Sequence, residues 1–237
     1  MDKNPAWAKR PWAEALKKDG LKAHLDEKAL IEIVTLSEAG LSTDEFREVV
    51  RHWLSEARHP RFARPYTELT FVPMLELLGF LRQNSFKVYI VSGGSVQFMR
   101  AFAELVYGVP PEQVIGSAME TKYQFQNGKA ELVAAPQLGF LDDGSGKAVA
   151  IDRIIGKRPA FIAGNSDGDF EMLEYGTSTN RLSLGLIVHH DDDGREFAYD
   201  RQSHVGKLDR ALTAAPSKHW LVVSMKSDFA EVYAPKR

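Results

Sequence analysis

The sequence predicts an α/β protein with a Rossmann-like, mostly parallel sheet flanked by helices and a helical region at the N-terminus. From about residue 70 onward, short apolar segments alternate with segments of helical period, and strands separated by helices usually pair in parallel. Before residue 70 the pattern is helical and shows no convincing strand. We therefore expect a helical cap over residues 1–70 and an α/β core over residues 71–237.

Two helices are predicted in the cap. The first covers Glu27 to Glu38 and stops at Gly40. The second begins at Ser42 or Thr43, whose hydroxyls can cap a helix, and its apolar residues recur at helical spacing. His59-Pro60 ends it, because the residue before a proline avoids the helical region.

The core elements follow in a regular order. Asn127-Gly128 between two polar–apolar runs predicts a hairpin. The remaining elements are a helix at 71–86, a strand at 87–91 ending in a glycine turn, a helix at 95–109 closed by Gly108, a helix after the glycines before Lys147, a strand at 159–164 with its helix, a strand at 182–190 and a final strand at 219–225.

Composition excludes several classes of function. The 237 residues carry a formal net charge of −2 and no Lys/Arg run, so we expect no nucleic-acid partner. Cysteine is absent, which excludes disulfides, thiol catalysis and thiolate metal sites. No segment has the apolar length of a signal peptide or membrane span, so a cytoplasmic protein is the default expectation and no membrane partner is expected.

The first candidate site follows the predicted strand at 87–91. Ser92, Gly93 and Gly94 offer a hydroxyl and backbone N–H groups at a helix start, which suits a phosphate group. The alternative is an ordinary strand-to-helix turn, where Gly and Ser are common.

The second candidate site follows the strand at 159–164. Asn165, Asp167 and Asp169 form an oxygen-rich set that suits Mg²⁺ held partly through water. A helix cap is the alternative, but a single cap accounts for one or two of these polar residues and not for all of them.

Lys147 follows two glycines at a predicted helix start, where its ammonium can neutralise phosphate charge. A P-loop is excluded because Leu141 stands where that motif needs Gly, and Ala148 stands where it needs Ser or Thr. A solvated lysine is the alternative.

The order of these three motifs resembles that of the haloacid dehalogenase superfamily, and most of all its phosphoserine-phosphatase-like members. By this resemblance, over roughly residues 70–200, Ser92 is the phosphate-binding hydroxyl of the second motif and Lys147 the lysine of the third. Asn165, Asp167 and Asp169 fall in the acidic fourth motif, where Asn165 replaces the usual aspartate. The resemblance implies a small phosphorylated substrate, Mg²⁺ as cofactor, and Ser92 and Lys147 as catalytic residues.

The family's first motif, an apolar strand ending in Asp-x-Asp, is missing before residue 70. By resemblance it belongs between the strands that end at Ser92 and Gly164. In residues 184–194 an apolar strand runs into three aspartates, which superficially matches the missing motif. By resemblance, however, that strand should lie at the sheet edge, and its acidic loop should be solvated.

We therefore expect a truncated chain that is itself weak or inactive, from a Mg²⁺-dependent phosphomonoester hydrolase that acts through an aspartyl-phosphate. Export is possible if a leader was lost with the first motif. Two alternatives stay open: a non-catalytic protein that binds a phosphorylated ligand or a protein partner, and a separate chain that supplies the strand. Substrate identity and oligomeric state do not follow from the sequence.

Overall fold

The computed structural model describes residues 7–19, 25, 27–203 and 206–235. These residues form ten α-helices and six strands, together with short 3₁₀ turns at Trp7–Lys9, Tyr66–Glu68, Pro111–Gln113 and Asp167–Asp169. In chain order the elements are α1 (Pro11–Asp19), α2 (Glu27–Glu38), α3 (Thr43–Glu56), α4 (Val72–Gln83), β1 (Ile90–Ser95), α5 (Val96–Arg100), α6 (Ala103–Tyr107), β2 (Val114–Gln126), β3 (Lys129–Phe140), α7 (Ser145–Ile155), β4 (Phe161–Gly164), α8 (Phe170–Thr177), β5 (Leu184–His189), α9 (Arg210–Lys218), β6 (Leu221–Ser224) and α10 (Met225–Asp228).

The strands form two three-stranded sheets with the orders β1-β2-β3 and β4-β5-β6. β1 pairs in parallel with β2, and β4, β5 and β6 are all parallel. This confirms the predicted α/β class with a mostly parallel sheet and flanking helices. β5 lies between β4 and β6, so the expectation that it forms a sheet edge was wrong: β6 adds to its far side.

The chain divides into two compact units, one of residues 1–43 with 119–139 and one of residues 44–118 with 140–237. In the first, the Trp12 indole is buried and donates to Glu32 Oε2 at 2.9 Å. The predicted division at residue 70 stays a prediction, and residues 1–6, 20–24 and 26 of the predicted cap lie outside the described residues.

The hairpin prediction is confirmed. β2 and β3 are joined by Asn127 and Gly128, both with positive φ, of 54° and 77°. Two consecutive positive-φ residues are the mark of the two-residue turn that matches the twist of paired strands. Asn and Gly are the residues that adopt it at least cost.

Two local predictions were wrong. The predicted glycine turn after residue 91 is part of β1, which continues to Ser95 with a shift of register against β2 between Ser92 and Ser95. Glycines allow such an irregularity inside a strand. The single helix predicted at 95–109 is broken into α5 and α6, because Phe102 has φ −136° and the preceding turn closes with i→i−3 hydrogen bonds.

The main core of the larger unit surrounds the β4-β5-β6 sheet. α8 contributes Phe170, Met172 and Leu173, and Ile162 and Ile187 reach it from the strands. Burial of large apolar side chains contributes about 1.5–3 kcal/mol for each one. This packing fixes the position of the loops that follow β4 and β5.

A slot separates β1 from β4, two strands of the larger unit. β1 pairs on one side with β2, β4 pairs on one side with β5, and neither strand has a partner on its other edge among the described residues. A cavity of about 130 Å³ lies between these edges, with Tyr89 and Val91 on one side and Phe161 and Ala163 on the other. Most of the residues that line it are apolar.

Candidate active site

The three predicted motifs come together at the carboxyl ends of β1 and β4. The loop before α7 joins them, because a Cβ at Gly93 would lie 3.6 Å from Asp143 Oδ1 and one at Gly168 would lie 2.3 Å from the same atom. Gly144 N also donates to Gly168 O at 3.1 Å. In parallel α/β sheets this edge is where ligands bind.

Asp169 organises the loop after β4. Its Oδ1 accepts from Lys147 Nζ at 2.5 Å, and its Oδ2 accepts from the backbone N–H groups of Asn165 and Ser166 at 2.8 and 3.1 Å. Asp169 and Lys147 are both buried. Gly164 is needed here, since a Cβ at that position would lie 2.5 Å from the Asp169 Cβ. The solvated-lysine alternative for Lys147 is therefore wrong.

Asp167 is engaged with another element. Its Oδ1 accepts from the backbone N–H groups of Asp209 and Ala211, each at 3.0 Å, at the start of α9. The Asp167 backbone N–H donates to Lys207 O at 2.7 Å. Asp167 thus holds the residues before α9 against the loop after β4.

Ser92, Gly93 and Gly94 lie at the end of β1, and the two glycines are exposed. Ser92 Oγ accepts from Gly94 N at 3.1 Å. Ser117 braces the segment from β2, donating to Gly93 O at 2.8 Å and accepting from Asp142 N at 2.9 Å. The glycine backbone is therefore accessible and fixed in place.

Asp142 was missed by the sequence reasoning. Its side chain is fully buried, and neither carboxylate oxygen has a hydrogen-bond partner of good geometry. Burial raises its pKa to about 6, against the opposing effects of the Lys147 ammonium and the Ser92 backbone N–H, with Asp143 and Asp169 adding to the rise. The signal available was two aspartates directly before the glycines that open α7.

Tyr199 was also missed. Asn165 Nδ2 donates to Tyr199 Oη at 3.2 Å, which directs the other end of the amide, Oδ1, away from the phenol. Burial raises the pKa of Tyr199 to about 12, so the phenol is neutral at physiological pH. Its distance from Asn165 in sequence, 34 residues, gave no signal that could have paired them.

The acidic loop after β5 was predicted to be solvated, which holds for the exposed Asp193 but not for Asp192. Asp191 accepts from Ser224 Oγ at 2.6 Å and from Lys226 N at 2.9 Å, and so caps α10. Asp192 is buried and pairs with Arg195. Asp191 and Asp192 therefore stabilise the local structure through these contacts.

The described residues do not by themselves form a closed Mg²⁺ site. Across residues 7–19, 25, 27–203 and 206–235, no group of three or more His, Asp or Glu side chains is arranged to hold a metal ion. Asp169 already accepts several hydrogen bonds, whereas Asp142 is a buried carboxylate without one. The metal-ligand roles of Asn165, Asp167 and Asp169 therefore stay predictions.

The fold and this site define a parallel α/β protein with a polar centre, containing a buried lysine and carboxylates, at the strand ends. The family model of the haloacid dehalogenase-like hydrolases matches residues 6–174, and the chain belongs to that family. Its hydrolases generally use Mg²⁺, and membership indicates a phosphatase-type function.

Comparison with solved structures finds similarity to a phosphoserine phosphohydrolase-like protein from Francisella tularensis subsp. tularensis SCHU S4. The identity is 16%, the TM-score is 0.40, and the match covers 85% of this chain and 87% of that one. Comparison with curated protein sequences finds no significant match. None of the described helices has both the length and the apolar character needed to cross a membrane.

Proposed function

We propose that this chain is the larger part of a Mg²⁺-dependent phosphomonoester hydrolase whose nucleophilic aspartate is carried on a strand seated between β1 and β4. The observation that carries the proposal is the slot. Its two edges belong to strands whose carboxyl ends meet at Lys147 and Asp169, so a strand pairing with both would end at the polar centre.

The slot is too small to hold a β-strand in the structure as it stands. A cavity of about 130 Å³ corresponds to the liquid volume of about four waters. Seating a strand therefore requires the two edges to move apart. The hydrogen bonds made by both edges and the burial of apolar side chains would offset the cost of that movement.

The proposed chemistry assigns a role to each motif. The incoming aspartate forms a bond to phosphorus as the bond to the leaving oxygen breaks, and water then hydrolyses the aspartyl-phosphate. Ser92 and the N–H groups of Gly93 and Gly94 hold phosphoryl oxygens, and Lys147 offsets the developing charge.

Asn165, Asp167 and Asp169 are the proposed metal-binding residues, completed by carboxylates of the incoming strand. When bound, Mg²⁺ would neutralise phosphoryl charge and help to orient the substrate. Asn165 has an amide oxygen to offer and brings no charge, so most of the attraction for the cation must come from carboxylates.

The test is the intact mass of the protein isolated from its native source. We expect a mass clearly above 26.5 kDa, with peptides that contain Asp-x-Asp. The purified 237-residue chain should show little turnover of 4-nitrophenyl phosphate with Mg²⁺. Ready turnover by this chain would contradict the proposal that its nucleophile is carried on another segment.

A second candidate is a non-catalytic protein that binds a phosphorylated ligand. The engagement of Asp169 with Lys147 and of Asp167 with α9 favours it, because both carboxylates already have structural partners. A native mass of 26.5 kDa, with no companion chain that carries Asp-x-Asp, would select this candidate.

A further inference from the structure

A second cavity, of about 220 Å³, lies at the carboxyl ends of β4 and β5. Three rings form its walls, those of Phe71, His190 and Tyr199. Met74, Ala163 and Val188 add to its apolar lining. Asn165 also lines it, so the cavity directly adjoins the loop after β4.

The ring walls are held in place by their own contacts. His190 is buried, its Nδ1 lies 3.2 Å from Glu196 Oε2, and its ring stacks on Tyr199 with the centroids 4.2 Å apart. Phe71 meets the same imidazole edge-on at 5.4 Å. Such walls lose little side-chain freedom when a ligand binds, which favours affinity.

Three hydrogen bonds connect Tyr199, in the cavity wall, to Lys147 through Asn165 and Asp169. The Asn165 side chain donates to Tyr199 Oη at 3.2 Å, and its backbone N–H donates to Asp169 Oδ2 at 2.8 Å. The other oxygen of Asp169 accepts from Lys147 Nζ. The loop after β4 thus borders the cavity through Asn165 and holds the Lys147 ammonium through Asp169.

The lining favours a neutral, flat occupant. Its polar groups are the Asn165 amide, the Tyr199 phenol and an imidazole already paired with Glu196, so no lone charge points into the space. An apolar cavity of about 150 Å³ is enough to bind benzene. The volume here therefore accommodates a six-membered ring, and aromatic faces and edges provide its preferred partners.

We propose that this cavity binds the leaving group of the substrate, and that this group is aromatic or a similarly flat apolar ring. The proposal rests on the function proposed above, because it assumes that the phosphoryl group lies near Lys147. It narrows the substrate class from phosphomonoesters in general to those with a ring close to the phosphate.

Titration of the purified chain with benzylphosphonate and methylphosphonate, which share an anionic head and differ in the ring, tests the proposal. We expect benzylphosphonate to bind about tenfold tighter or better. Met74→Trp, which fills the cavity from α4, should abolish this difference and leave methylphosphonate affinity unchanged. Glu76→Trp, at an exposed position of the same helix, is the matched control and should keep the difference.

NMR spectra of the aromatic side chains give a readout that needs no variant, since benzylphosphonate should shift the Tyr199 and His190 signals. Equal binding of the two phosphonates would overturn the pocket and leave the proposed phosphate site intact. If neither phosphonate binds but phenol shifts the same signals, the pocket stands and the phosphate-binding role proposed for Ser92, Gly93, Gly94 and Lys147 in this chain fails. If phenol and both phosphonates leave the spectrum unchanged, the pocket and that phosphate-binding role both fail.

Discussion

Asp169 and Lys147 form a buried ion pair in which each side chain needs the other. Both side chains are less than a tenth exposed, and the carboxylate accepts additional hydrogen bonds from two backbone N–H groups and the Ser166 hydroxyl. Desolvation makes such a pair a weak source of net stability. Removal of one partner is costly, because the remaining charge is left buried without a counter-charge.

Asp169→Asn should therefore lower the free energy of unfolding by about 3–5 kcal/mol, since it leaves the Lys147 ammonium without its counter-charge. Urea unfolding followed by circular dichroism measures the change. Asp152→Asn, at an exposed position of α7, serves as the control and should stay within about 0.5 kcal/mol of the parent. Equal losses in the two variants would contradict the role given to the buried pair.

The contribution of the Asp142 carboxyl to the free energy of unfolding depends on pH. Its folded pKa of about 6 is above its ordinary value of 3.8, so between these values the folded state holds a proton that the unfolded chain has released. The contribution of this group to stability therefore falls as pH rises through that window. Burial of the Asp142 carboxyl is the main cause of the raised pKa; Lys147 and the Ser92 N–H oppose the rise, and Asp143 and Asp169 add to it.

Asp142→Asn removes this titration while it keeps the shape of the side chain. Relative to the parent, the variant should gain about 2 kcal/mol in the free energy of unfolding between pH 4 and pH 7. Urea unfolding of both proteins at pH 4, 5, 6 and 7 measures the difference. A difference that is constant over this range would show that the carboxyl titrates normally in the fold.

At the scale of the element, the loop between β4 and α8 fastens a helix that is distant in sequence. Asp167 accepts from two N–H groups at the start of α9, 42 and 44 residues further along the chain. A carboxylate at a helix start satisfies free N–H groups and interacts favourably with the helix dipole. The same side chain was predicted to be a metal ligand.

Asp167→Ala should cost about 1–2 kcal/mol of stability in the absence of Mg²⁺, which is the usual cost of losing a helix cap. Asp167→Asn, which keeps an acceptor oxygen, should cost less than half as much. Thermal or urea unfolding in EDTA measures both. If the two variants are equally destabilised, charge rather than hydrogen bonding is the main contribution of Asp167 at α9.

Element type was predictable from the sequence where the pattern was local. Helical spacing located α2, α3 and α4, and Asn127-Gly128 located the hairpin turn. The break between α5 and α6 left no such pattern. It depends on the backbone at Phe102 rather than on a proline or glycine.

Only those residues of the candidate site that carry a local sequence signal could be predicted. Ser92, Lys147 and the loop at 165–169 follow glycines at element ends, which is a local signal. Asp142, Tyr199 and His190 gain their significance from burial and from partners distant in the chain, including the contact of Tyr199 with Asn165. Tertiary packing alone brings these groups together.

At the scale of the whole molecule, the two strands beside the slot are paired differently from β5. β5 is hydrogen-bonded on both sides, whereas β1 and β4 pair on one side each within the described residues. Backbone N–H groups on an edge without a strand partner open to water more easily than those inside a sheet.

Hydrogen exchange followed by mass spectrometry should therefore show slower exchange for a peptide over 184–189 than for peptides over 88–95 and 160–164. Exchange of the α8 peptide over 170–177 provides an internal reference, because this helix packs on the main core. Equal protection of β1, β4 and β5 would mean that both free edges are covered in solution. Occupation of the slot by a strand should slow exchange in β1 and β4 together.

The slot also has a consequence for how this chain behaves among other copies of itself. Open strand edges beside apolar side chains are templates for self-association, and proteins commonly guard them with lysine. Lys87 lines this slot and is the charged residue beside its apolar walls. Lys87→Val removes this charge, and we expect light scattering to show more self-association of the variant than of the parent at equal concentration.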